Sequence, residues 1–126
     1  MIDKMKYAVL LIAFLCSCGQ VKEKTQQPDL IGKTIAYTYG EHVYHLTIET
    51  DSTLYWEAKT GSEKGLKGEE TYILEWIAHQ KLFITWGEKE GPGVSQVLDF
   101  EKNKVYNHLL FGRKVNKSEG KIKFIE

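Results

Sequence analysis

The stretch TIAYTYGEHVYHLTIETDSTLYW, residues 34–56, decides the fold. Apolar and aromatic residues alternate with polar ones along it, and Gly40-Glu41 and Asp51-Ser52 interrupt the alternation. Period-two patterns bounded by turn residues predict β-strands with one buried face. The stretch therefore predicts three consecutive antiparallel strands.

The same pattern continues to the end of the chain, separated by breaks such as Gly91-Pro92-Gly93 and the glycine-containing segment 61–68. No part of residues 30–126 has a helical period. Eight short strands suffice to close a small barrel whose interior holds side chains or one small ligand. We therefore predict an all-β fold, an antiparallel sandwich or a small, roughly eight-stranded barrel, with strands at Thr34–Tyr39, Val43–Thr50, Thr53–Lys59, Glu69–Ile77, Lys81–Trp86, Val94–Phe100, Lys104–Phe111 and Lys121–Ile125.

Alternation also assigns the inner face of the barrel. On the fifth predicted strand Leu82, Ile84 and Trp86 share one side, and Glu88 follows two residues later. If the strand phase continues, this carboxylate lies on the apolar side. The alternative is an exposed glutamate in the turn that begins there.

The first residues of the chain have the order of an export signal. Lys4 and Lys6 precede an apolar run, 7–16, which is followed by Leu15-Cys16-Ser17-Cys18. The run is too short for a membrane-spanning helix, which needs about 20 residues. A Cys at this place resembles the lipobox of bacterial lipoproteins, so Cys18 is the predicted lipidation site. The alternative is an ordinary secretory signal that leaves Cys18 as a free thiol.

This interpretation divides the chain into a signal peptide at 1–17, a polar tether at 18–29 and a barrel domain at 30–126. The expected location is the membrane of the bacterial cell envelope, with membrane lipid as a partner through acylated Cys18. Cys16 and Cys18 are the two cysteines of the chain, so cleavage before Cys18 leaves no pair for a disulfide in the barrel domain.

The charge balance and the spacing of the histidines argue against two kinds of site, a nucleic-acid-binding surface and a metal site. The chain carries 17 Lys and Arg against 17 Asp and Glu, and this balance argues against a nucleic-acid-binding surface. His42 and His45 fall on opposite faces of a strand, and no His-Glu-x-x-His motif is present. No metal site and no cofactor are therefore predicted.

Several motifs in order resemble one protein family. They are Gly32–Gly40, Tyr44–Ile48, Thr53–Trp56, Phe83–Glu88, Val94–Asp99 and His108–Phe111. Together they are similar to the domain of molybdenum cofactor biosynthesis protein F and its relatives, the MoaF-like domain. The resemblance covers about residues 30–111 and implies a calycin-type barrel. It implies neither a pterin nor molybdenum as a ligand.

The same motif order resembles, more distantly, the phenolic acid decarboxylases. That resemblance implies that Tyr37 and Tyr39 would hold a substrate carboxylate and that Glu88 would be the catalytic acid. The family's arginine would fall near Leu66 or Lys67, where this chain has none. A lysine cannot reproduce the bidentate geometry that a guanidinium offers a carboxylate.

Three functional hypotheses follow. The first is a lipid-anchored barrel that binds a small aromatic or apolar ligand. The second is a decarboxylase-like enzyme acting on a small aromatic acid, and the third is a structural or partner-binding envelope lipoprotein. The tryptophans can equally be core residues, since a small domain needs large apolar side chains. The predicted ligand-binding residues are Tyr37, Tyr39, Tyr44, Trp56, Trp86 and Glu88.

Overall fold

The computed structural model describes residues 27–126 and consists of eight β-strands joined by turns. Within this part of the chain there is no helix long and apolar enough to cross a membrane. The predicted signal segment and Cys18 lie outside the described residues. The strands are β1 (Thr34–Tyr39), β2 (His42–Ile48), β3 (Thr53–Ala58), β4 (Lys67–Ala78), β5 (Lys81–Gly87), β6 (Gly93–Asp99), β7 (Lys104–Phe111) and β8 (Lys114–Ile125).

The strands form a closed antiparallel barrel in which each pairs with its neighbour in sequence and β8 pairs with β1. The prediction of an all-β, eight-stranded barrel is confirmed. Up-and-down topology gives the barrel two distinct ends. We call the end where β1 begins and β8 finishes the N-terminal end. The far end carries the turns at 40–41, 88–92 and 112–113 and the longer loop at 59–66.

Alternation along the strands builds the core. Register pairs such as Tyr37 with Tyr44 and Leu74 with Ile84 place inward-facing side chains beside each other across neighbouring strands. Removing this apolar surface from water is the main favourable term in folding such a barrel. The largest fully buried side chains are Tyr37, Ile35, Ile48, Leu54, Leu82, Ile84, Leu98 and Val105.

The segment before β1 covers the N-terminal end. The side chain of Leu30 is buried in the core, and the backbone N–H of Gly32 donates to the carbonyl of Ile48 at 2.7 Å. Gln27 accepts a hydrogen bond from the backbone N–H of Gln80 at 3.2 Å, in the turn between β4 and β5. The chain therefore enters the barrel across this end and closes it with an apolar side chain.

An aromatic cluster lies at the same end. The ring of Phe100 lies 5.9 Å from that of Trp76 and stacks on Phe124 with centroids 5.2 Å apart. Such contacts add to the simple burial of apolar area. The N-terminal end is thus filled by apolar groups, in contrast to the far end.

The bounds of β2 to β6 differ from those predicted by one or two residues at an end, and the last strand differs most. The sequence predicts the last strand at Lys121–Ile125, but β8 begins at Lys114 and pairs with β7 from Lys114 opposite Phe111 to Lys121 opposite Lys104. Residues 114–119 are exposed on both faces, so they carry no alternation from which a strand could be predicted. Their pairing with β7 through the turn at Gly112-Arg113 holds them in extended conformation.

Candidate functional site

Three tyrosine rings form a row inside the barrel toward the far end. Tyr37 and Tyr39 stack with centroids 6.4 Å apart and an angle of 6° between their planes. Tyr44, on β2, meets Tyr39 edge-on at 6.1 Å. Gly120 on β8 makes room for this row, because a Cβ at that position would lie 2.7 Å from the Tyr39 ring. Tyr37 and Tyr39, which the sequence predicted as a pair, therefore form one continuous aromatic surface with Tyr44.

The environment keeps these phenols neutral. Burial, helped by the neighbouring phenol, raises the pKa of Tyr37 well above its ordinary value, and the same two causes raise the pKa of Tyr39. The hydroxyl of Tyr37 has no hydrogen-bond partner among the described residues. A buried hydroxyl without a hydrogen-bond partner costs free energy.

Polar side chains continue from Tyr39 across the next strands. Gln96 on β6 donates to the hydroxyl of Tyr39 at 3.4 Å and to the side-chain carbonyl of Asn107 at 3.0 Å. Asn107 on β7 donates to the hydroxyl of Ser118 at 3.3 Å. Gln96 and Asn107 are both buried, and the side-chain oxygen of Gln96 has no partner among the described residues.

Glu88 follows β5 and is half-buried at the far end. Burial raises its pKa to about 7, and the negative charges of Glu70 and Glu63 act in the same direction. The nearby indole N–H of Trp86 lowers the pKa of Glu88, although this N–H does not have the geometry of a hydrogen bond to the carboxylate. The charge of Glu88 in turn raises the pKa of Tyr44. The carboxylate therefore lies within electrostatic reach of Tyr44, Glu63 and Glu70, and one of its oxygens lies 2.8 Å from the place a Cβ on Gly91 would occupy in the same turn.

Two further glutamates at this end were not predicted from the sequence. Glu63, in the loop between β3 and β4, accepts a hydrogen bond from Tyr44 at 2.5 Å. Glu70 on β4 is the register partner of the buried Leu54, which places it on the inner face. Alternation backwards from Tyr72 would have assigned Glu70 to this face, whereas nothing in the sequence marks the loop residue Glu63.

Glu70 also approaches an indole. Gly68 lies on the inner face of β4 between the two groups. A Cβ on this glycine would lie 2.7 Å from a carboxylate oxygen of Glu70 and 2.9 Å from the indole nitrogen of Trp56. The absence of a side chain at Gly68 lets the carboxylate and the indole approach each other over the strand. Trp56 and Trp86 thus each lie beside a glutamate.

Most of the predicted ligand-binding residues meet at this end. Tyr37, Tyr39 and Tyr44 contact one another, Trp56 lies near Glu70, and Glu88 follows Trp86 at the end of β5. Lys67, the nearest counterpart of the decarboxylase arginine, is exposed on the outward face of β4. It lies in register with Glu57 and does not face the interior.

Between residues 27 and 126 no group of three or more His, Cys, Asp or Glu side chains is placed to hold a metal ion. Glu63 and Glu70 lie within electrostatic reach of Glu88.

A groove of about 380 Å³ on the outside of the barrel is lined by lysines, so its charge is opposite to that of the three glutamates. It runs over β1, β8 and the turn between β6 and β7, which belongs to the N-terminal end. The acidic groups of the far end and these basic groups are therefore separated along the barrel. The groove is lined by Ala36, Thr38, Lys102, Asn103, Lys104, Lys121, Ile122 and Lys123.

Comparison with known proteins supports the fold. A family model described as MoaF-like matches residues 31–123. A crystal structure described as a "putative beta-lactamase from Burkholderia vietnamiensis" superposes with a TM-score of 0.72 at 19% identity, covering 80% of this chain and 100% of that chain. At this identity the likeness shows a shared fold alone. The search of curated proteins finds no match.

Proposed function

We propose that the chain, which belongs to the MoaF-like family and matches the model of that family over residues 31–123, is a lipid-anchored binding protein for a small molecule. The ligand would sit at the far end, against Tyr37, Tyr39, Tyr44, Trp56, Trp86 and Glu88. Anchoring would be through acylated Cys18 to a membrane of the bacterial cell envelope.

One observation carries the binding proposal. Five buried polar atoms have no partner among the described residues: the hydroxyl of Tyr37, the Nδ1 atom of His42, the indole nitrogens of Trp56 and Trp86, and the side-chain oxygen of Gln96. Buried polar groups in proteins are nearly always hydrogen-bonded. Aromatic walls with a few convergent polar groups are also the usual makeup of a small-molecule site. A bound ligand would supply the missing partners.

The proposed anchor and the candidate site lie towards opposite ends of the barrel. The described chain enters across the N-terminal end, where Leu30 is buried, and the candidate site lies at the opposite end. A lipid on Cys18 would attach the barrel to the membrane through the tether at its N-terminal end. Lysines of the outer groove, such as Lys102 and Lys104, would be attracted to anionic headgroups.

Metabolic labelling tests the anchor. The full-length protein would be expressed in a bacterial host with radiolabelled palmitate, beside Cys18→Ser and the matched control Cys16→Ser. We expect label on the wild type and on Cys16→Ser, and none on Cys18→Ser. A wild-type protein recovered without label in the soluble fraction would contradict anchoring.

A thermal-shift screen tests binding. Detergent-solubilised full-length protein would be heated with a panel of small aromatic and aliphatic amines, acids and alcohols. We expect at least one class to raise the unfolding temperature in wild type and to do so less in Tyr39→Phe, which loses one hydroxyl of the site. Absence of any response would favour a structural or partner-binding lipoprotein.

Decarboxylation of a small aromatic acid is a second candidate function. Its support is Glu88, whose pKa of about 7 leaves it partly protonated at neutral pH, as a proton donor must be. The outward orientation of Lys67 leaves the substrate carboxylate without a cation from that position. Release of carbon dioxide from a hydroxycinnamic acid by wild type, abolished in Glu88→Gln, would establish this activity. Wild type without turnover would eliminate it.

A further inference from the structure

The groove on the outside of the barrel has a floor of small side chains and walls of long cationic ones. Ala36 and Thr38 face outwards on β1, because Tyr37 between them points into the core, yet Ala36 is only 3% exposed. Ala36 lies in register with Lys123, and Thr38 lies in register with Lys121. The short side chains of β1 beside the long ones of β8 therefore form a recess in the barrel wall.

The turn between β6 and β7 supplies the other side of the groove and is held in place by hydrogen bonds. One carboxylate oxygen of Asp99 accepts the backbone N–H groups of Glu101 and Lys102, each at 3.0 Å. The carbonyl of Asn103 accepts the N–H of Ile122 on β8 at 3.0 Å. The backbone of Asn103 is left-handed, with a φ of 54°, which asparagine adopts more readily than most residues. The backbone of Lys102 therefore has a fixed place beside β8.

Four lysines line the groove, and within residues 27–126 none of them is in an ion pair: Lys102, Lys104, Lys121 and Lys123. Lys104 on β7 lies directly opposite Lys121 on β8. Like charges in this cross-strand arrangement are destabilising. The acids of the adjoining turn, Asp99 and Glu101, both pair with Lys81 instead, at 3.9 and 3.5 Å. The groove therefore carries an excess of positive charge, and an anion between the two opposed lysines would offset their repulsion.

A phosphate group fits these lysines. Each ammonium is a point charge with three donors on a flexible stem and is a common phosphate ligand, whereas the bidentate fork that favours a planar carboxylate belongs to arginine. The lining contains neither an arginine nor an acidic side chain. Glu119, two residues before Lys121 on β8, lies outside it. A volume of about 380 Å³ is within the range of pockets that hold small organic groups.

The position of the groove indicates the source of the phosphate. The turn between β6 and β7 and the end of β8 belong to the N-terminal end, where the chain enters the barrel and Leu30 is buried. Two apolar side chains are exposed at this end, Ile31 at 54% and Phe124 at 42%. Lysines attract anionic headgroups, and exposed apolar side chains favour the boundary between headgroups and acyl chains. This combination fits the surface of an anionic bilayer.

We infer, on the basis of the proposed location at a membrane, that the groove binds the phosphate of an anionic lipid headgroup. The phosphate lies between Lys104 and Lys121, with Lys102 and Lys123 beside them. This contact is a defined site on one wall of the barrel, and it brings the outer face of β1 and β8 against the membrane. It is separate from the acyl chain on Cys18 and from the ligand of the far end.

Sedimentation with lipid vesicles tests the inference. Full-length Cys18→Ser, which cannot be acylated at that residue, would be mixed with vesicles of phosphatidylcholine and with vesicles in which a third of the lipid is phosphatidylglycerol. We expect stronger binding to the anionic vesicles, and a roughly tenfold loss of this preference when Lys121→Gln and Lys123→Gln are added. Adding Lys114→Gln and Lys117→Gln instead removes two exposed lysines from the other half of β8 and should leave the preference unchanged. Residues 1–17 are the same in every variant, so their contribution cancels.

The outcomes separate the groove from the other proposals. Equal binding to both kinds of vesicle, or an equal loss in the two pairs of lysine variants, would overturn the headgroup site. Calorimetry with inorganic phosphate, without vesicles, is the second arm, and we expect no saturable binding in the millimolar range. Saturable binding that the Lys121 and Lys123 changes abolish would assign the groove to a free phosphate and overturn the lipid assignment. Because Cys18→Ser is used throughout, a failure of palmitate labelling leaves this result intact. Circular dichroism establishes that each variant is folded, and Lys102→Gln with Lys104→Gln serves if the first pair does not fold.

Discussion

The hydroxyl of Tyr44 on β2 donates a 2.5 Å hydrogen bond to the carboxylate of Glu63 in the loop between β3 and β4. This contact joins a strand of the barrel wall to the longest loop of the far end. Hydrogen bonds to an ionised acceptor are stronger than those between neutral groups. This phenol therefore ties Glu63 to β2, in addition to the hydrogen bonds of Thr60 with Glu41 and Val43 that also hold the loop 59–66.

Tyr44→Phe should loosen the part of this loop around Glu63. The change removes one charge-assisted hydrogen bond and preserves the ring contact with Tyr39, so the free energy of unfolding should fall by about 1 kcal/mol. Amide hydrogen exchange in residues 59–66 should accelerate while the strands stay protected. Tyr106→Phe, on the outer face of β7, is the matched control and should change neither quantity. Unchanged exchange in the loop of Tyr44→Phe would contradict the role of the contact.

Glu88 should make the stability of the protein depend on pH. Its pKa is raised from 4.5 to about 7 in the folded protein, so the folded state binds more protons than the unfolded state between these values. The free energy of unfolding should therefore fall as pH rises from about 4.5 to 7 and then level off. The groups that face Glu88 are Trp86, Tyr44, Glu63 and Glu70.

Glu88→Gln should remove this dependence. At pH 8 the variant should be more stable than wild type by about 1 kcal/mol, a figure discounted because solvent screens a half-buried carboxylate. At pH 4.5 the two proteins should be equal, since the carboxyl is then mostly protonated when folded. Urea unfolding at both pH values measures the difference, with Glu119→Gln as control. Equal stability of Glu88→Gln and wild type at pH 8 would mean that Glu88 is solvated.

The N-terminal end should depend on one side chain. Leu30 is 6% exposed and the adjacent Ile31 is 54% exposed, so the two residues form a matched pair. Leu30→Ala leaves a cavity under the entering segment and should lower the free energy of unfolding by about 2–3 kcal/mol. Ile31→Ala should cost less than about 0.5 kcal/mol. Similar costs for both changes, from denaturant unfolding, would show that the segment does not close the barrel.

Gly120 should be essential to the tyrosine row. A Cβ there would lie 2.7 Å from both the carbonyl oxygen of Thr38 and the ring of Tyr39, so Gly120→Ala must displace one of them. We expect a loss of about 1–3 kcal/mol in unfolding free energy. The aromatic proton resonances of Tyr39 should shift with it. Gly87→Ala, where a Cβ meets nothing within 4 Å, is the control. Equal stability of the two variants would contradict the tight packing of the row.

Much of the fold follows from alternation alone. The bounds of β1 and β7 equal those predicted, because each carries a clear period-two pattern between turn residues. The first half of β8 could not be predicted in this way. Residues 114–119 are exposed on both faces and are held by pairing with β7, a tertiary cause that local sequence does not record.

The site was predictable where it lies on strands. Tyr39, Tyr44 and Trp86 follow from the alternation of apolar side chains. Gln96 also lies on an inner face, between Val94 and Leu98. A single amide among apolar residues does not reveal from the sequence that its side chain hydrogen-bonds to Tyr39 and Asn107. Glu63 comes from a loop, whose path over the barrel depends on the whole fold.

The central claim is that the far end of the barrel binds a small ligand, and the indole N–H resonances of the three tryptophans test it most directly. Trp56 and Trp86 lie at that end, whereas Trp76 packs on Phe100 at the other and is an internal control. Titration of the full-length protein with the compound of the thermal-shift panel that raises its unfolding temperature most, followed by nitrogen–proton correlation spectra, should shift the resonances of Trp56 and Trp86 and leave Trp76 in place. Three unmoved resonances, or a shift confined to Trp76, would contradict the claim.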